Sequence, residues 1–293
     1  ELVIVFSAMG KVTNMLENVV DSYVQKSTNT NIVLQKVKDF HSIILRGIFK
    51  ESHPIFDIVN NLFVEIEWVL EDDPNQDYAY DYDQIVSVGE FLSTQIMSAY
   101  LQQVGFDNTW LDVRDLIRTD NTHRNAKVDW ETTADSIKRN VKTKHSITQG
   151  FLGCTSENFT STLGREGSDF SAAILAFCLE ASEVVIWKDV PGMMNADPKY
   201  FPNAKLLSQV SFDEAIELAF GLVGGGCVYL LRSRVACVVF VRLPATCGGL
   251  QHRQRAMGMT SVFESFEWSW KEVPREASQT APIWALLLLL LFS

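Results

Sequence analysis

The amino-acid sequence predicts an α/β sandwich with a mainly parallel sheet, and two observations carry that prediction. Continuous apolar runs rich in β-branched residues recur along the chain, beginning with residues 2–6, and runs that are apolar on both faces are typical of buried parallel strands. Stretches with the apolar spacing of amphipathic helices lie between these runs. Strands that alternate with helices in this way favour a parallel sheet covered by helices.

The individual elements follow from this pattern. Strands are predicted at about 2–6, 109–113, 146–150 and 183–187, and residues 151–164 are predicted as turns. Helices are predicted at about 12–24, 32–49, 54–69, 83–104, 130–141, 168–181 and 212–219. The third helix begins at Pro54, a residue that suits a first turn because it has no N–H to leave unpaired. Its apolar face is formed by Ile55, Val59, Leu62, Ile66 and Val69.

An acidic stretch from Glu71 to Asp83 interrupts the helical pattern. It contains Pro74 and six carboxylates, but it lacks the glycine and the spaced ligands of a calcium-binding loop. We therefore predict that this stretch is a solvated loop.

The composition argues against several kinds of protein. The net charge of −11 disfavours a nucleic-acid partner, because such proteins neutralise phosphates with Lys and Arg. The five cysteines have no metal-ligand spacing and are predicted to be reduced thiols of a cytoplasmic protein. The apolar run at 283–292 has ten residues, about half the length that a membrane span needs. No basic region typical of a signal peptide precedes the first strand.

The charge balance divides the chain near residue 220. Residues 1–219 contain 18 basic and 32 acidic side chains, whereas residues 220–293 contain 7 basic and 4 acidic ones. The clean apolar periodicity also ends there. We therefore predict a coherent body over 1–220 and a poorly defined tail over 221–293, which a frameshifted reading frame or a new module would explain.

Ligands of parallel α/β proteins gather beyond the carboxyl ends of the strands, and four segments occupy such positions: 7–14, 150–153, 163–169 and 188–199. The third segment is the most informative. Arg165 offers a planar fork for a carboxylate, and Ser168 and Asp169 stand at a predicted helix N-terminus, which favours anions. A capped turn with a surface ion pair is the alternative interpretation. The five histidines are scattered and are interpreted as surface or packing residues.

Five segments, in order, resemble motifs of the aspartokinases. Residues 7–14 resemble S-A-x-x-x-x-T-N, residues 87–94 resemble S-x-G-E-x-x-S-T, and residues 148–153 resemble T-Q-G-F-I-G. Residues 160–169 are similar to T-T-T-L-G-R-G-G-S-D, with Glu166 in place of a glycine, and residues 187–198 are similar to W-x-D-V-x-G followed by D-P.

The resemblance implies a three-layer α/β/α amino-acid-kinase fold, with residues 1–220 as a catalytic domain that lacks its first strand. It also implies a reaction in which ATP, with Mg²⁺, phosphorylates the β-carboxylate of L-aspartate to give 4-phospho-L-aspartate. This reaction is the first step of lysine, threonine and methionine biosynthesis. Intact family members are expected to be homo-oligomers.

The resemblance further implies a role for each matching residue. The substrate-binding residues would be Ser7, Ala8, Thr13, Glu90, Arg165 and Asp169. Among them, Arg165 would hold the α-carboxylate of aspartate, while Glu90 and Asp169 would face its ammonium. Ser168 and Asp169 would be the catalytic residues, with Ser168 near the phosphoryl group in transfer. From the residues alone, Glu90 would be interpreted as a carboxylate on a helix surface.

The nucleotide would lie against the segment that follows the strand at 183–187. Lys188 and Asp189 would border it, Met194 would lie near the adenine, and Lys199 would contact a phosphate. Simple packing is an equal alternative for Met194. No protein residue is predicted to bind a metal directly.

The chain also departs from the aspartokinase pattern at two points. It begins after the family's K-F-G-G-T-S segment, and after Phe220 the family's G-A-K-V-x-H-P segment is replaced by a glycine-rich stretch. Both segments supply lysines to the nucleotide site, so we expect impaired activity of this chain. Two alternatives stay open: a non-catalytic remnant that binds aspartate, and a fragment of a bifunctional aspartokinase–homoserine dehydrogenase.

Overall fold

A computed structural model describes residues 1–164, 167–188, 194–196, 201–207, 238–242 and 268–272. The predicted helix at 212–219 lies outside these residues, as does most of the predicted tail.

Eight strands are present in the described ranges. They are β1 Leu2–Phe6, β2 Thr109–Trp110, β3 His145–Gln149, β4 Leu152–Cys154, β5 Thr160–Thr162, β6 Glu183–Lys188, β7 Val238–Arg242 and β8 Trp268–Glu272. Six of them form one sheet in the order β2–β3–β1–β7–β6–β8. The pairs β1–β3, β2–β3 and β6–β8 are parallel, whereas β7 runs antiparallel to both of its neighbours. Because β1 and β6 both oppose β7, they run in the same direction as each other.

The helices cover both faces of this sheet. Over the described residues they are α1 Val12–Val24, α2 Thr30–Ile48, α3 Ile55–Glu71, α4 Tyr78–Val86, α5 Val88–Gln103, α6 Trp130–Asn140 and α7 Gly167–Cys178. Except around α4, their bounds lie within three residues of the predicted ones, because their apolar residues recur with the helical period.

Strand β1 shows why the architecture has three layers. Ile4 and Phe6 pack into a core that α1 to α5 complete, and Val3 and Val5 pack into a second core with α6 and α7. Successive strand residues point to opposite faces, so a continuous apolar run can supply both cores. The predicted α/β/α sandwich is therefore confirmed.

The acidic stretch differs from the prediction of a solvated loop. Residues 78–86 form α4, and Asp81 and Asp83 are 2% and 0% exposed. The prediction failed because neighbouring backbone and side-chain donors satisfy these carboxylates, and such partners leave no mark on the local sequence pattern.

Residues 151–164 also differ from the predicted run of turns. Strands β4 and β5 pair there as a small antiparallel hairpin, with Leu152 opposite Thr162 and Cys154 opposite Thr160. Three-residue strands offer too few alternations for a pattern to be visible in the sequence.

Two short segments of the predicted tail, β7 and β8, lie in the central sheet. The division of the chain at residue 220 stays a prediction.

Candidate functional site

The site lies where β1 and β3 end and α7 begins. These parallel strands are in register, with Phe6 opposite Gln149, so both end at the same edge of the sheet. Just beyond them, the Ser7 hydroxyl donates a hydrogen bond to Oγ of Ser168 in the first turn of α7, at 2.7 Å. Two residues 161 positions apart thus meet at the predicted place.

Gly150 allows this approach. A Cβ at Gly150 would lie 2.5 Å from both Cβ and Oγ of Ser168. Both distances are shorter than non-bonded atoms can approach. Its own N–H donates to the carbonyl of Phe6 at 3.0 Å. The glycine of the T-Q-G-F motif is therefore needed for the contact between β3 and α7.

The next residue, Phe151, holds the beginning of α7 from the other side. It has a positive φ of 69°, and a Cβ at Gly167 would lie 2.5 Å from its ring. The N–H of Phe151 donates to Ser171 Oγ at 2.9 Å, and that hydroxyl donates to the Gly167 carbonyl at 2.8 Å. Phe151 and Ser171 were not predicted as site residues, although Phe151 lies within a motif that the sequence analysis singled out.

Glu90 lies in the first turn of α5 and is only 4% exposed. The backbone N–H of Ala8 donates to its carboxyl group, whereas Oε2 has no hydrogen-bond partner among the described residues. Burial raises the pKa of Glu90 well above its ordinary value, and the bond from Ala8 opposes this only in part. The interpretation of Glu90 as a helix-surface carboxylate is therefore wrong.

Two contacts bring Glu90 close to the end of β1. Ser93, one turn along α5, donates from its hydroxyl to the Ser7 carbonyl at 2.8 Å. A Cβ at Gly89 would lie 3.1 Å from Leu16 and 3.4 Å from the Ala8 side chain, so the helix packs closely at this point. Ser7, Ala8, Glu90 and Ser168 are thus connected just beyond the end of β1.

The other predicted site residues are distributed as follows. Thr13 and Asp169 lie, half-buried, in the first turns of α1 and α7, and Met194 pairs with Leu206 in an isolated antiparallel bridge. Lys188 is the last residue of β6. Arg165, Asp189 and Lys199 lie outside the described residues.

The predicted helix start at Ser168 is wrong by one position, and Ser168 does not cap α7. The helix begins at Gly167, so Ser168 already lies inside its first turn, and its hydroxyl is engaged with Ser7. Helix ends commonly differ from sequence expectation by this amount. The first-turn N–H groups of this 12-residue helix still favour an anion at its N-terminus.

Neither a metal cluster nor a membrane span stands out in the described ranges. Within them, no group of three or more His, Cys, Asp or Glu side chains could hold a metal ion. The helices of the same ranges are too short or too polar to cross a bilayer. Cys154 and Cys178 are buried and form no disulfide within the described residues.

A helix-covered sheet with polar groups gathered where its parallel strands end is the arrangement of α/β proteins that bind small molecules. Comparison with known sequences gives the family: residues 1–239 match the model described as "Amino acid kinase family". The chain belongs to the amino acid kinase family.

Similar proteins include several aspartokinases. The chain is 38% identical over 141 residues to lysine-sensitive aspartokinase 3 of Escherichia coli. This alignment covers 47% of this chain and 31% of that protein. It is 30% identical over 238 residues to the bifunctional aspartokinase/homoserine dehydrogenase of Buchnera aphidicola, covering 75% of this chain and 28% of the relative. The predicted resemblance to aspartokinases is confirmed.

Solved structures give the same result. The fold matches E. coli aspartokinase III in complex with aspartate and ADP, with a TM-score of 0.69 and 30% identity over 74% of this chain and 49% of that chain. For the complex of the same enzyme with lysine and aspartate, the TM-score is 0.67, and the match covers 78% of this chain and 52% of that one. This chain thus spans about half of these structures and less than a third of the two curated relatives.

Proposed function

We propose that the protein is an aspartate kinase, which transfers a phosphoryl group from ATP to the β-carboxylate of L-aspartate. One observation carries the proposal: a buried carboxyl group, Glu90, has an unpartnered oxygen and is linked through Ala8 to the Ser7–Ser168 contact. The E. coli aspartokinase III complex with aspartate and ADP supports the choice of substrates.

The unpartnered oxygen of Glu90 suits the ammonium group of an amino acid. An unpaired buried acceptor is costly, so a ligand that donates a hydrogen bond there is stabilised. A nearby positive charge also favours the ionised form of a carboxyl group. Arg165 would hold the α-carboxylate, because a guanidinium can donate two parallel bonds to it, and Asp169 would assist with the ammonium.

Phosphoryl transfer depends mainly on positioning and on stabilisation of negative charge. When bound, ATP with Mg²⁺ supplies the phosphoryl group. Ser168 and the N–H groups of the first turn of α7 would face the transferred group, and Lys188, Asp189, Met194 and Lys199 would contact the nucleotide. Mg²⁺ usually keeps several waters and binds through phosphates with one or two carboxylates, so it would enter the site together with the ATP phosphates.

The remaining predictions belong to the same proposal. The product would be 4-phospho-L-aspartate, in the biosynthesis of lysine, threonine and methionine. A cytoplasmic location and a homo-oligomeric state are proposed on the resemblance alone. The bifunctional relative keeps open the proposal that the chain is a part of an aspartokinase–homoserine dehydrogenase.

The test is to incubate the chain with L-aspartate and MgATP, to measure ADP, and to trap the acyl phosphate with hydroxylamine. We expect aspartate-dependent ADP and aspartyl hydroxamate, with kcat/KM about a hundredfold lower in Glu90→Gln, because a charge-assisted hydrogen bond to the ammonium is lost. Glu131→Gln is the matched control, since Glu131 is an exposed carboxylate in the first turn of α6, and its activity should equal that of the wild type.

Calorimetry with aspartate separates the alternatives. Aspartate binding without ADP formation would favour the non-catalytic aspartate-binding remnant. An absence of aspartate binding would contradict the proposal in both forms.

A further inference from the structure

Asp83 is a fully buried carboxylate for which the proposed reaction has no role. It lies on α4 and is 0% exposed. The Thr162 hydroxyl and N–H donate to it at 2.7 and 3.0 Å, and the Arg124 N–H donates at 3.1 Å. Nδ1 of His123 lies 2.9 Å from its second oxygen. We call these four residues the Asp83 cluster.

These partners come from two segments that are distant in sequence from α4. Thr162 is the last residue of β5, and His123 and Arg124 belong to the loop between the 3₁₀ turn at Val113–Asp115 and α6. The loop and β5 are also joined directly, because the Ala126 N–H donates to the Thr162 carbonyl at 3.0 Å. Asp83 therefore holds three parts of the chain together at one buried point.

Thr162, at that point, is three residues before Arg165 in the sequence. Gly164 has a positive φ of 85°, and a Cβ there would lie 3.0 Å from Oδ1 of Asn125. The Leu163 N–H donates to the Phe151 carbonyl at 2.8 Å. The chain thus leaves β5 along a path fixed on one side by the loop that Asp83 holds and on the other by Phe151.

Asp83 is also close in sequence to the other half of the proposed site. Helix α4 ends at Val86 and α5 begins at Val88, so one short helical connection joins Asp83 to Glu90. A second contact from α4 supports the same alignment, because Gln84 Nε2 donates to the Thr160 carbonyl at 2.9 Å. The Asp83 cluster therefore sets the position of β5 relative to the helix that carries Glu90.

Burial raises the pKa of Asp83, and the hydrogen bonds from Thr162 and the other donors oppose that rise. A buried carboxylate with this many donors costs little while all of them are present. It becomes costly when one is lost, which makes the geometry of the cluster well determined.

We propose that Asp83 is a positioning residue for the proposed aspartate site: by fixing the end of β5 it sets where the chain enters the segment between β5 and α7, to which the predicted aspartate-binding residue Arg165 belongs. The proposal rests on the proposed function for the identity of the ligand, but the anchoring of the loop does not depend on that function. A displacement of a binding group by about 1 Å can lower activity about a hundredfold, so a residue that touches no substrate can still control its binding.

The experiment compares Asp83→Asn with Asp81→Asn in the whole chain. Asp81 is the matched control, because it lies on the same helix, is 2% exposed and accepts from the Asn75 N–H at 2.9 Å, away from β5. Hydrogen exchange of peptides over residues 160–167 should become about tenfold faster in Asp83→Asn, because local opening becomes easier. It should stay unchanged in Asp81→Asn.

Steady-state kinetics supply the second readout. In Asp83→Asn, KM for aspartate should rise about tenfold, while KM for ATP changes by less than about twofold, since the segment between β5 and α7 is predicted to bind aspartate through Arg165. Equal faster exchange in both variants, or unchanged exchange in Asp83→Asn, would overturn the proposal. So would an unchanged KM for aspartate in an active chain.

If Asp83→Asn does not fold, a second pair of variants with smaller changes, at Thr162, still tests the proposal. Thr162→Val removes only the hydroxyl donor at 2.7 Å and should accelerate exchange at 160–167, whereas Thr162→Ser keeps the donor and should not. Equal exchange in the two would contradict the proposal. If the wild-type chain binds no aspartate, the proposed function fails, while the exchange data still decide whether Asp83 anchors the loop.

Discussion

At the scale of the residue, His41 shows most clearly how burial sets a chemical property. Its ring is 0% exposed between Phe40 and Phe63. The neutral ring donates from Nδ1 to the Val37 carbonyl at 2.8 Å, and Nε2 has no partner among the described residues. Burial lowers the pKa of His41 to about 4, so the folded protein holds this histidine neutral.

This lowered pKa predicts an acid-sensitive fold. Between pH 6.5 and 4 the unfolded chain binds a proton that folded His41 does not, so its contribution to stability is present above pH 6.5 and is lost as the pH falls toward 4. The expected loss is on the order of 3 kcal/mol. Urea unfolding of the wild type and of His41→Leu at several pH values tests this. If the free energies of unfolding of the wild type and of His41→Leu changed in parallel with pH, the prediction would be contradicted.

At the scale of the element, glycines determine how closely helices approach the ends of strands. Gly150 is the clearest case, since any side chain there would overlap Ser168. Gly47, near the end of α2, is the opposite case, because nothing lies within 4 Å of the Cβ that it would carry. The two glycines therefore serve different purposes in the same fold.

The contrast predicts opposite results for the same substitution. Gly150→Ala should displace α7 from β3, lower the free energy of unfolding by about 1–3 kcal/mol and weaken aspartate binding. Gly47→Ala should raise the free energy of unfolding by up to about 1 kcal/mol, as alanine is the better helix former, and leave binding unchanged. Urea unfolding and calorimetry of both variants provide the measurement. Equal effects of the two substitutions would count against the close packing at Gly150.

Elements with a strong apolar period could be predicted from the sequence. Strand β1 and helix α1 agree with their predicted bounds, because one face or both faces are continuously apolar. Helix α4 could not be predicted, because Asp81 and Asp83 look like surface residues until their distant donors are known. The buried strand β5 could not be predicted either, because all three of its residues carry hydroxyl groups and therefore look like surface residues in the sequence.

The site could be predicted only in part, and for a related reason. Ser7, Ala8, Glu90 and Ser168 were found through motifs, and the structure connects them. The burial of Glu90 was not predicted, because no local pattern distinguishes an exposed carboxylate from a buried one. Phe151 was missed as a site residue because its role depends on its contact with Gly167.

At the scale of the whole molecule, the two cores on either side of the sheet fix the position of the site. One core joins α5 to β1 and β3, and the other joins α7 to the opposite face of the sheet. Glu90 and Ser168 therefore reach the same sheet edge from opposite layers. A ligand that contacts both must lie beyond the ends of the strands, where the proposed aspartate pocket is placed.

The central claim is that Glu90 is a buried carboxyl group that receives the ammonium of aspartate. Calorimetric titration of L-aspartate into the chain, in phosphate and in Tris buffer at the same pH, tests it most directly. We predict that binding releases protons, because the ammonium lowers the raised pKa of Glu90, and so the binding enthalpy should differ between the buffers. The difference should vanish in Glu90→Gln. Binding with the same enthalpy in both buffers, or no binding, would contradict the claim.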